Sequence, residues 1–212
     1  MELTRQGLLV VVSGCSGAGK NSVLRELMAN HPGLVYSVSA TTRPPRPGEV
    51  HGRDYFFLTE EEFEAARAAG EFLEWAKVYG HYYGTPRRFI EEMTAQRKDV
   101  LLDLDVTGAL SVRRERPDAV LVFLLPPSLS ALRRRLVERG TDSAAEIEKR
   151  LAQVEVEIEA VKSYDYVVVN RDVKKASEEI WSIMVAESCA TRRRDLAGLL
   201  ARLRQEEVDR SG

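Results

Sequence analysis

Short runs of apolar, often β-branched residues recur along the chain, and most are followed by a segment with helical periodicity. The runs lie at residues 8–13, 34–38, 100–104, 120–125 and 166–169. Strands that alternate with helices are typical of a parallel sheet. Residues 8–12, 120–125 and 167–169 are apolar at almost every position, which indicates strands covered on both faces. The pattern therefore predicts a three-layer α/β fold with a ligand crevice at the carboxyl ends of the strands.

Residues 39–90 interrupt this alternation. They contain a proline-rich stretch, clusters of aromatic residues and one clear helical pattern, near residues 60–69. This mixture predicts a small α/β subdomain inserted between core strands. We expect one of Phe56 and Phe57 to belong to its core.

Two further segments are charged and helical. Residues 128–162 contain a break at residues 140–143 and a capping box at residues 143–146, so they predict two helices joined by a turn, suited to a mobile lid. Residues 186–210 predict one more helix, with exposed arginines at 192–194 and an apolar face that packs on the core or contacts a second subunit.

The length of 212 residues fits a single domain, since domains typically hold about 100–200 residues. The expected parts of the domain 1–212 are a core at 7–38, 91–127 and 163–185, an insertion at 39–90, a lid at 128–162 and a helical extension at 186–212. A hydrophobic fraction of 44% and a charged fraction of 30% exclude a disordered chain.

The remaining composition bears on location and partners. No apolar run approaches the ~20 residues that span a membrane, and the N-terminus lacks the segments of a secretory signal. Two cysteines agree with a reducing compartment. We therefore expect a cytoplasmic protein without membrane contact. A net charge of −2 argues against a nucleic-acid polymer as partner.

A glycine-rich segment after the first strand has the pattern and the context of a phosphate-binding P-loop. Its glycines let the backbone turn N–H groups inward, the following helix adds its positive end, and Lys20 is placed to reach the β- and γ-phosphates. The predicted ATP-binding residues here are Gly14, Cys15, Ser16, Gly17, Ala18, Gly19, Lys20, Asn21 and Ser22.

Two positions in this loop are unusual, Asn21 after the lysine and the thiol of Cys15. The usual pattern has Ser or Thr directly after the lysine, whereas Asn21 intervenes here, so we expect Ser22 to supply the hydroxyl to metal or phosphate and Asn21 only its backbone amide. Cys15 is interpreted as a small residue that the loop tolerates. The alternative is an oxidation-sensitive thiol whose pKa is lowered by the helix N-terminus.

Other charged residues indicate a second anion site and a metal site. Arg43 and Arg46 lie three residues apart on a proline-stiffened backbone, which suits bidentate binding of one phosphate, although solvated loop charges are the alternative. Asp103 ends an apolar run, as the Walker-B acid of a P-loop enzyme does, and could hold Mg²⁺ directly or through water. Asp105 points to the same face if the strand continues.

Together these motifs resemble guanylate kinase over about residues 8–185. Besides the P-loop, the resemblance rests on residues 39–55, 71–76, 82–85, 102–105, 139–141 and 149–151. It implies a P-loop kinase fold with an inserted GMP-binding subdomain and a helical lid. The implied activity is Mg²⁺-dependent phosphoryl transfer from ATP to GMP, and to dGMP, in purine nucleotide metabolism. The sequence departs from the family pattern at Val106 and Thr107.

The resemblance also implies residue roles. Two guanidinium groups and two phenols hold the phosphate of GMP: Arg43, Arg46, Tyr55 and Tyr83. Four side chains surround the guanine: Ser39, Glu74, Thr85 and Asp105. A carboxylate at Glu74 accepts from the guanine N1–H and exocyclic amine, and the Thr85 hydroxyl can donate to O6. An adenine ring would leave these groups unpaired.

The lid and the last strand supply the remaining implied residues. Arg135, Arg139 and Arg150 close over the triphosphate, and Asn170 lies near the base of ATP. The residues expected to be catalytic are Lys20, Arg43, Arg135, Arg139 and Arg150. Positioning and charge neutralisation are the main catalytic effects in phosphoryl transfer.

Two other functions stay open at this point. One is a guanylate-kinase-like module that binds protein and catalyses nothing, although such modules tend to lose the P-loop lysine and the lid arginines that this chain has. The other is a kinase for a different nucleoside monophosphate. The oligomeric state is either a monomer or a homodimer.

Overall fold

The structure is a computed structural model that describes residues 5–15, 17–78, 80–139 and 144–201. The strands in these ranges are β1 (Leu9–Gly14), β2 (Val35–Tyr36), β3 (Ala40–Thr41), β4 (Phe56–Phe57), β5 (Phe72–Val78), β6 (His81–Pro86), β7 (Val100–Asp103), β8 (Val120–Leu125) and β9 (Tyr166–Val169). The helices are α1 (Lys20–Asn30), α2 (Glu60–Ala68), α3 (Arg87–Ala95), α4 (Val106–Glu115), α5 (Leu129–Arg139), α6 (Ala144–Glu159) and α7 (Val173–Cys189), with 3-10 helices at Ala160–Ser163 and Thr191–Arg193.

The core is a five-stranded parallel sheet in the order β2-β7-β1-β8-β9. Its central strand, β1, is buried on both faces. Val10 and Val12 face a cluster formed with α1 and α7, whereas Leu9 and Val11 face a second cluster formed with α3 and α4. The predicted three-layer α/β fold is confirmed. Because burial of one aliphatic side chain contributes about 1.5–3 kcal/mol, β1 anchors both helical layers.

A second, four-stranded sheet in the order β4-β3-β6-β5 packs with α2 and forms the predicted mixed subdomain. Its small core contains Phe63 and Phe72, whose ring centroids are 4.5 Å apart. The expectation that Phe56 or Phe57 would be a core residue is wrong, since neither ring is fully buried. Both lie in β4, a two-residue strand at the edge of the sheet. The helix start at Thr59 is fixed by a capping box.

The predicted pair of lid helices corresponds to α5 and α6. Arg133 of α5 and Glu148 of α6 form an exposed ion pair with a distance of 2.6 Å. Leu132 and Val154, one on each helix, are fully buried in the cluster that contains α1 and α7. The lid is therefore anchored on the main core. The capping box predicted at residues 143–146 includes residue 143, which lies outside the described residues.

The C-terminal segment differs from its prediction. A single helix over 186–210 is wrong, because α7 ends at Cys189 and Ala190 has an extended backbone. The predicted exposure of residues 192–194 is also wrong in part. Arg193 is only 12% exposed, since its Nε donates to the buried carboxylate of Glu187 at 3.0 Å. Tyr166 donates to the same carboxylate. None of the helices in the described ranges has the length and apolar character needed to cross a bilayer.

Candidate active site

A cleft of about 520 Å³ opens between the parallel sheet and the mixed subdomain. Tyr36 and Asp103, the last residues of β2 and β7, both line it, so it lies at the carboxyl ends of these strands. Ligands of open parallel sheets bind at this edge. The cleft also brings together the P-loop lysine and most of the residues predicted for the acceptor nucleotide: Lys20, Ser39, Arg43, Arg46, Tyr55, Glu74, Tyr83 and Asp105.

The predicted P-loop joins β1 to α1. Gly17 and Gly19 have φ angles of 85° and 90°, a backbone region that glycine adopts without strain. Gly14 is required by close packing, because a Cβ there would lie 2.2 Å from the carbonyl oxygen of Leu124. Ser16, also predicted to bind ATP, lies outside the described residues.

Two buried side chains lie at the P-loop, Asn170 and Cys15. Asn170, expected near the base of ATP, donates from Nδ2 to the Ala18 carbonyl oxygen at 2.7 Å and is almost completely buried. Cys15 is 3% exposed, and burial together with the charge of Glu157 raises the pKa of its thiol to about 12. This raised pKa argues against the alternative of an oxidation-sensitive thiol, because the thiolate is the reactive form.

Lys20 connects the P-loop to the end of β7. Its Nζ lies 2.7 Å from Asp103 Oδ1 and donates to the Leu104 carbonyl oxygen at 2.6 Å. The structure thus brings the predicted phosphate-binding cation and the predicted metal-binding carboxylate into contact. Asn21, expected to contribute only its backbone amide, lines the cleft. Ser22 is exposed in the first turn of α1, outside the cleft wall.

Arg43 also lines the cleft, and Glu49 fixes the position of its guanidinium. Its Nη2 donates to both carboxylate oxygens of Glu49 at 2.9 Å, and its guanidinium carbon lies 5.5 Å from the ring centroid of Tyr55. The rings of Tyr55 and Tyr83 are 6.0 Å apart. The backbone N–H of Arg46 donates to Glu49 at 2.7 Å and, with Arg43, holds the pKa of that carboxyl below its usual value. One guanidinium and two phenols therefore converge where a phosphate is expected.

Glu74 and Thr85 lie directly opposite each other on the antiparallel strands β5 and β6. The Thr85 hydroxyl donates to Glu74 Oε1 at 2.6 Å. Glu74 is 6% exposed, and burial raises the pKa of its carboxyl to about 7, with Asp105 adding to the rise and the Thr85 hydrogen bond opposing it. Thr85 was expected to face the base, but it is fully buried behind Glu74. A buried carboxylate needs a donor, and Thr85 supplies one.

Asp105 reaches the cleft from a helix rather than from a strand. Because β7 ends at Asp103, the same-face argument for the two aspartates does not apply. Asp105 is instead the N-cap of α4, and its Oδ1 accepts from the Gly108 N–H at 2.7 Å. Asp105 also lines the cleft.

Sequence reasoning missed several cleft residues, including Tyr36, Glu49 and Gly108. Tyr36 ends an apolar run and its only sequence signal is a phenol at the carboxyl end of a strand. Burial, together with the charge of Asp103, raises the pKa of its hydroxyl. Glu49 lies in the proline-rich motif six residues after Arg43, and a nearby acid that could hold the arginine was an available signal.

The positions of three predicted catalytic arginine side chains are not described by the structure. Arg135 and Arg139 belong to α5 and Arg150 belongs to α6, but their side chains lie outside what the structure describes. Within the described residues, no group of three or more His, Cys, Asp or Glu side chains could hold a metal by itself. Asp103 alone suits Mg²⁺, which binds one or two carboxylates together with substrate phosphates.

Known proteins are similar to this chain over most of its length. The family model described as Guanylate kinase matches residues 6–187. A guanylate kinase from Symbiobacterium thermophilum is 53% identical over 192 residues, which cover 91% of this chain and 91% of that protein. Another, from Caldanaerobacter subterraneus subsp. tengcongensis, is 46% identical over 208 residues, covering 98% of this chain and 100% of the relative. The crystal structure of guanylate kinase from Anaplasma phagocytophilum superposes with a TM-score of 0.77 at 35% identity, over 94% of this chain and 96% of that one.

Proposed function

Since this chain belongs to the guanylate kinase family, we propose that it transfers the γ-phosphoryl group of ATP to GMP, giving ADP and GDP, in purine nucleotide metabolism. Its fold is the three-layer P-loop kinase fold. The single observation that carries the proposal is the shared cleft, because Lys20 of the P-loop and the buried carboxylate of Glu74 line the same cavity.

Glu74 supports the choice of guanine. Guanine presents two donors, N1–H and the exocyclic amine, to a carboxylate, whereas adenine presents an acceptor at N1 and no amine at C2. With adenine, the buried carboxylate would face a lone pair, and a site that leaves buried polar groups unpaired rejects the analogue by up to about 10⁴-fold or more. Asp105 supports the same selection by offering its free oxygen to the amine, and Ser39 lines the cleft nearby.

The acceptor phosphate is proposed to bind where Arg43, Tyr55 and Tyr83 converge, with Arg46 closing from the exposed side. Glu49 holds Arg43 by two hydrogen bonds, so the guanidinium is oriented before a ligand arrives. Pre-orientation reduces the entropy lost on binding. The phosphate of GMP is ionised near neutral pH, so its oxygen can attack the γ-phosphorus in line without a covalent enzyme nucleophile or a strong general base.

On the donor side, the P-loop amides and Lys20 are proposed to hold the β- and γ-phosphates. We propose that Asp103 and Ser22 hold Mg²⁺, which when bound neutralises charge on the phosphates. Arg135, Arg139 and Arg150 are proposed to close over the triphosphate and exclude water from the transferring group. The cytoplasmic location, the use of dGMP, the part boundaries within 1–212 and a monomeric or homodimeric state stay predictions.

A coupled assay of ADP release with ATP and Mg²⁺ tests the proposal, with GMP, dGMP, AMP, UMP and TMP offered in turn. We expect turnover with GMP and dGMP. Lys20→Ala should abolish it, whereas Lys174→Ala, which removes an exposed lysine of α7, should not. Glu74→Ala should relax the discrimination against AMP. Absence of turnover with every acceptor, or full discrimination in Glu74→Ala, would contradict the proposal.

A further inference from the structure

Gly108 lies in the first turn of α4, is buried, and lines the cleft beside the two acids assigned to guanine. Glycine is an unfavourable residue inside a helix compared with alanine. Its backbone here is not in the positive-φ region that would require glycine. Another feature of the fold must therefore account for the absence of a side chain at this position.

The atoms nearest to a Cβ at this position belong to the pocket acids. A Cβ on Gly108 would lie 3.0 Å from Glu74 Oε2 and 3.4 Å from Glu74 Cδ. It would also lie 3.3 Å from Asp105 Oδ1. These separations are tighter than ordinary van der Waals contacts between carbon and its neighbours. A methyl group would therefore press on both carboxylates at once.

Neither carboxylate can move away without lengthening or bending a short hydrogen bond. Glu74 Oε1 accepts from the Thr85 hydroxyl at 2.6 Å, and the planar carboxylate moves as one unit. Asp105 Oδ1 accepts from the N–H of Gly108 itself at 2.7 Å. A shift of a few tenths of an ångström in either acid would change where its second oxygen meets a ligand.

We propose that Gly108 is a specificity-determining positioning residue, whose missing side chain lets the carboxylates of Glu74 and Asp105 face the donor edge of guanine together. The inference rests on the proposed GMP site and adds to it a residue that touches neither phosphate nor metal. It acts through the two acids, so its effect falls on the recognition of the base.

Gly108→Ala tests the inference against Gly33→Ala. Gly33 is exposed, and a Cβ there would meet nothing within 4 Å. In the ADP-release assay we expect Gly108→Ala to raise the KM for GMP about tenfold, since misplacement by a full ångström can cost about 100-fold. The ratio of kcat/KM for GMP to that for AMP should fall by a similar factor. The KM for ATP should stay within about twofold of the parent value, and Gly33→Ala should match the parent.

A thermal-unfolding measurement separates positioning from a role in the fold. The higher helix propensity of alanine offsets the strain of the added methyl group, so the Tm of unliganded Gly108→Ala should lie close to that of the parent, while the rise in Tm produced by GMP becomes smaller. An unchanged KM and an unchanged GMP:AMP ratio would overturn the inference. A fall in Tm with equal losses for GMP and AMP would also overturn it. If the parent protein itself failed to turn over GMP, the proposed function would fail instead.

Discussion

Replacing Glu74 by glutamine should make the unliganded protein more stable while it weakens the recognition of guanine. Glutamine has nearly the same shape and keeps an oxygen that can accept from the Thr85 hydroxyl. What changes is the charge. Burial raises the pKa of Glu74 from 4.5 to about 7 in the folded protein, so ionising this carboxyl near neutral pH opposes folding.

The sign and the size of this effect on the free energy of unfolding follow from the linkage between protonation and folding. A carboxyl whose pKa is higher in the folded state leaves stability intact below the unfolded value of 4.5 and removes it as the pH rises toward about 7. The difference between these two pKa values lowers the free energy of unfolding by about 3 kcal/mol at pH 8. At pH 5 ionisation of Glu74 lowers the free energy of unfolding by only about 1 kcal/mol. Glu74→Gln lacks the titrating group, so its free energy of unfolding should not fall in this way as the pH rises.

Urea unfolding of the parent and of Glu74→Gln at pH 5 and pH 8 provides the assay. We expect the variant to gain about 3 kcal/mol in the free energy of unfolding at pH 8 and about 1 kcal/mol at pH 5. The m-value should stay constant, because the exposed surface does not change. Equal stability of the two proteins at pH 8 would refute the reasoning, since it would mean that the carboxyl is not destabilised by burial.

Three further outcomes can be checked with simple measurements. Phe63→Ala should lower the free energy of urea unfolding by about 3–5 kcal/mol because it empties the subdomain core, whereas Phe56→Ala, at a 38% exposed edge residue, should cost far less. Glu187→Ala should lower it by about 1–3 kcal/mol, because it removes the carboxylate that accepts from Tyr166 and from the largely buried Arg193, and no loss would contradict that account. A thiol reagent should label exposed Cys189 in the folded protein and buried Cys15 only after unfolding; two reactive thiols in the native state would disagree with the structure.

The parts of the fold that the sequence predicted well are those governed by local pattern. The strands Val120–Leu125 and Tyr166–Val169 have the predicted bounds. The expectation that residues 167–169 are covered on both faces is wrong, because β9 is an edge strand and Val167 is 54% exposed. The run at residues 34–38 produced only the two paired residues of β2. This strand lies at the sheet edge and pairs with β7 alone, so apolar residues beyond the paired positions leave the ladder.

The errors occur where contacts between distant residues decide the structure. Helical periodicity continues through residues 186–210, but the chain leaves α7 after Cys189, and Arg193 folds back onto Glu187 and onto the Asp118 carbonyl oxygen. Nothing in the local pattern distinguishes this arginine from its exposed neighbour. Long-range pairing overrode helix propensity here.

In the candidate site, too, local patterns identify some residues, whereas others are recognised only from contacts between distant residues. Lys20 and Glu74 could be singled out because a P-loop pattern and a lone acid in an apolar strand are visible in one stretch of sequence. The hydrogen-bond partners of these two side chains could not be identified from the sequence. Thr85 lies eleven residues from Glu74 and Leu104 lies 84 residues from Lys20, and only the folded sheet brings these pairs to 2.6 Å.

The central position of β1 has a consequence for how the chain is made. Val10 leaves the ribosome before its neighbours across the sheet, Leu101 and Val120, which follow about 90 and 110 residues later. At about 5–20 residues per second, this apolar segment waits roughly 5–20 s for both neighbours. During that interval residues 8–12 expose main-chain donors and acceptors together with five apolar side chains, a template for pairing with another nascent chain. Slower translation would lengthen the interval in which this strand is unpaired and so favour pairing between nascent chains.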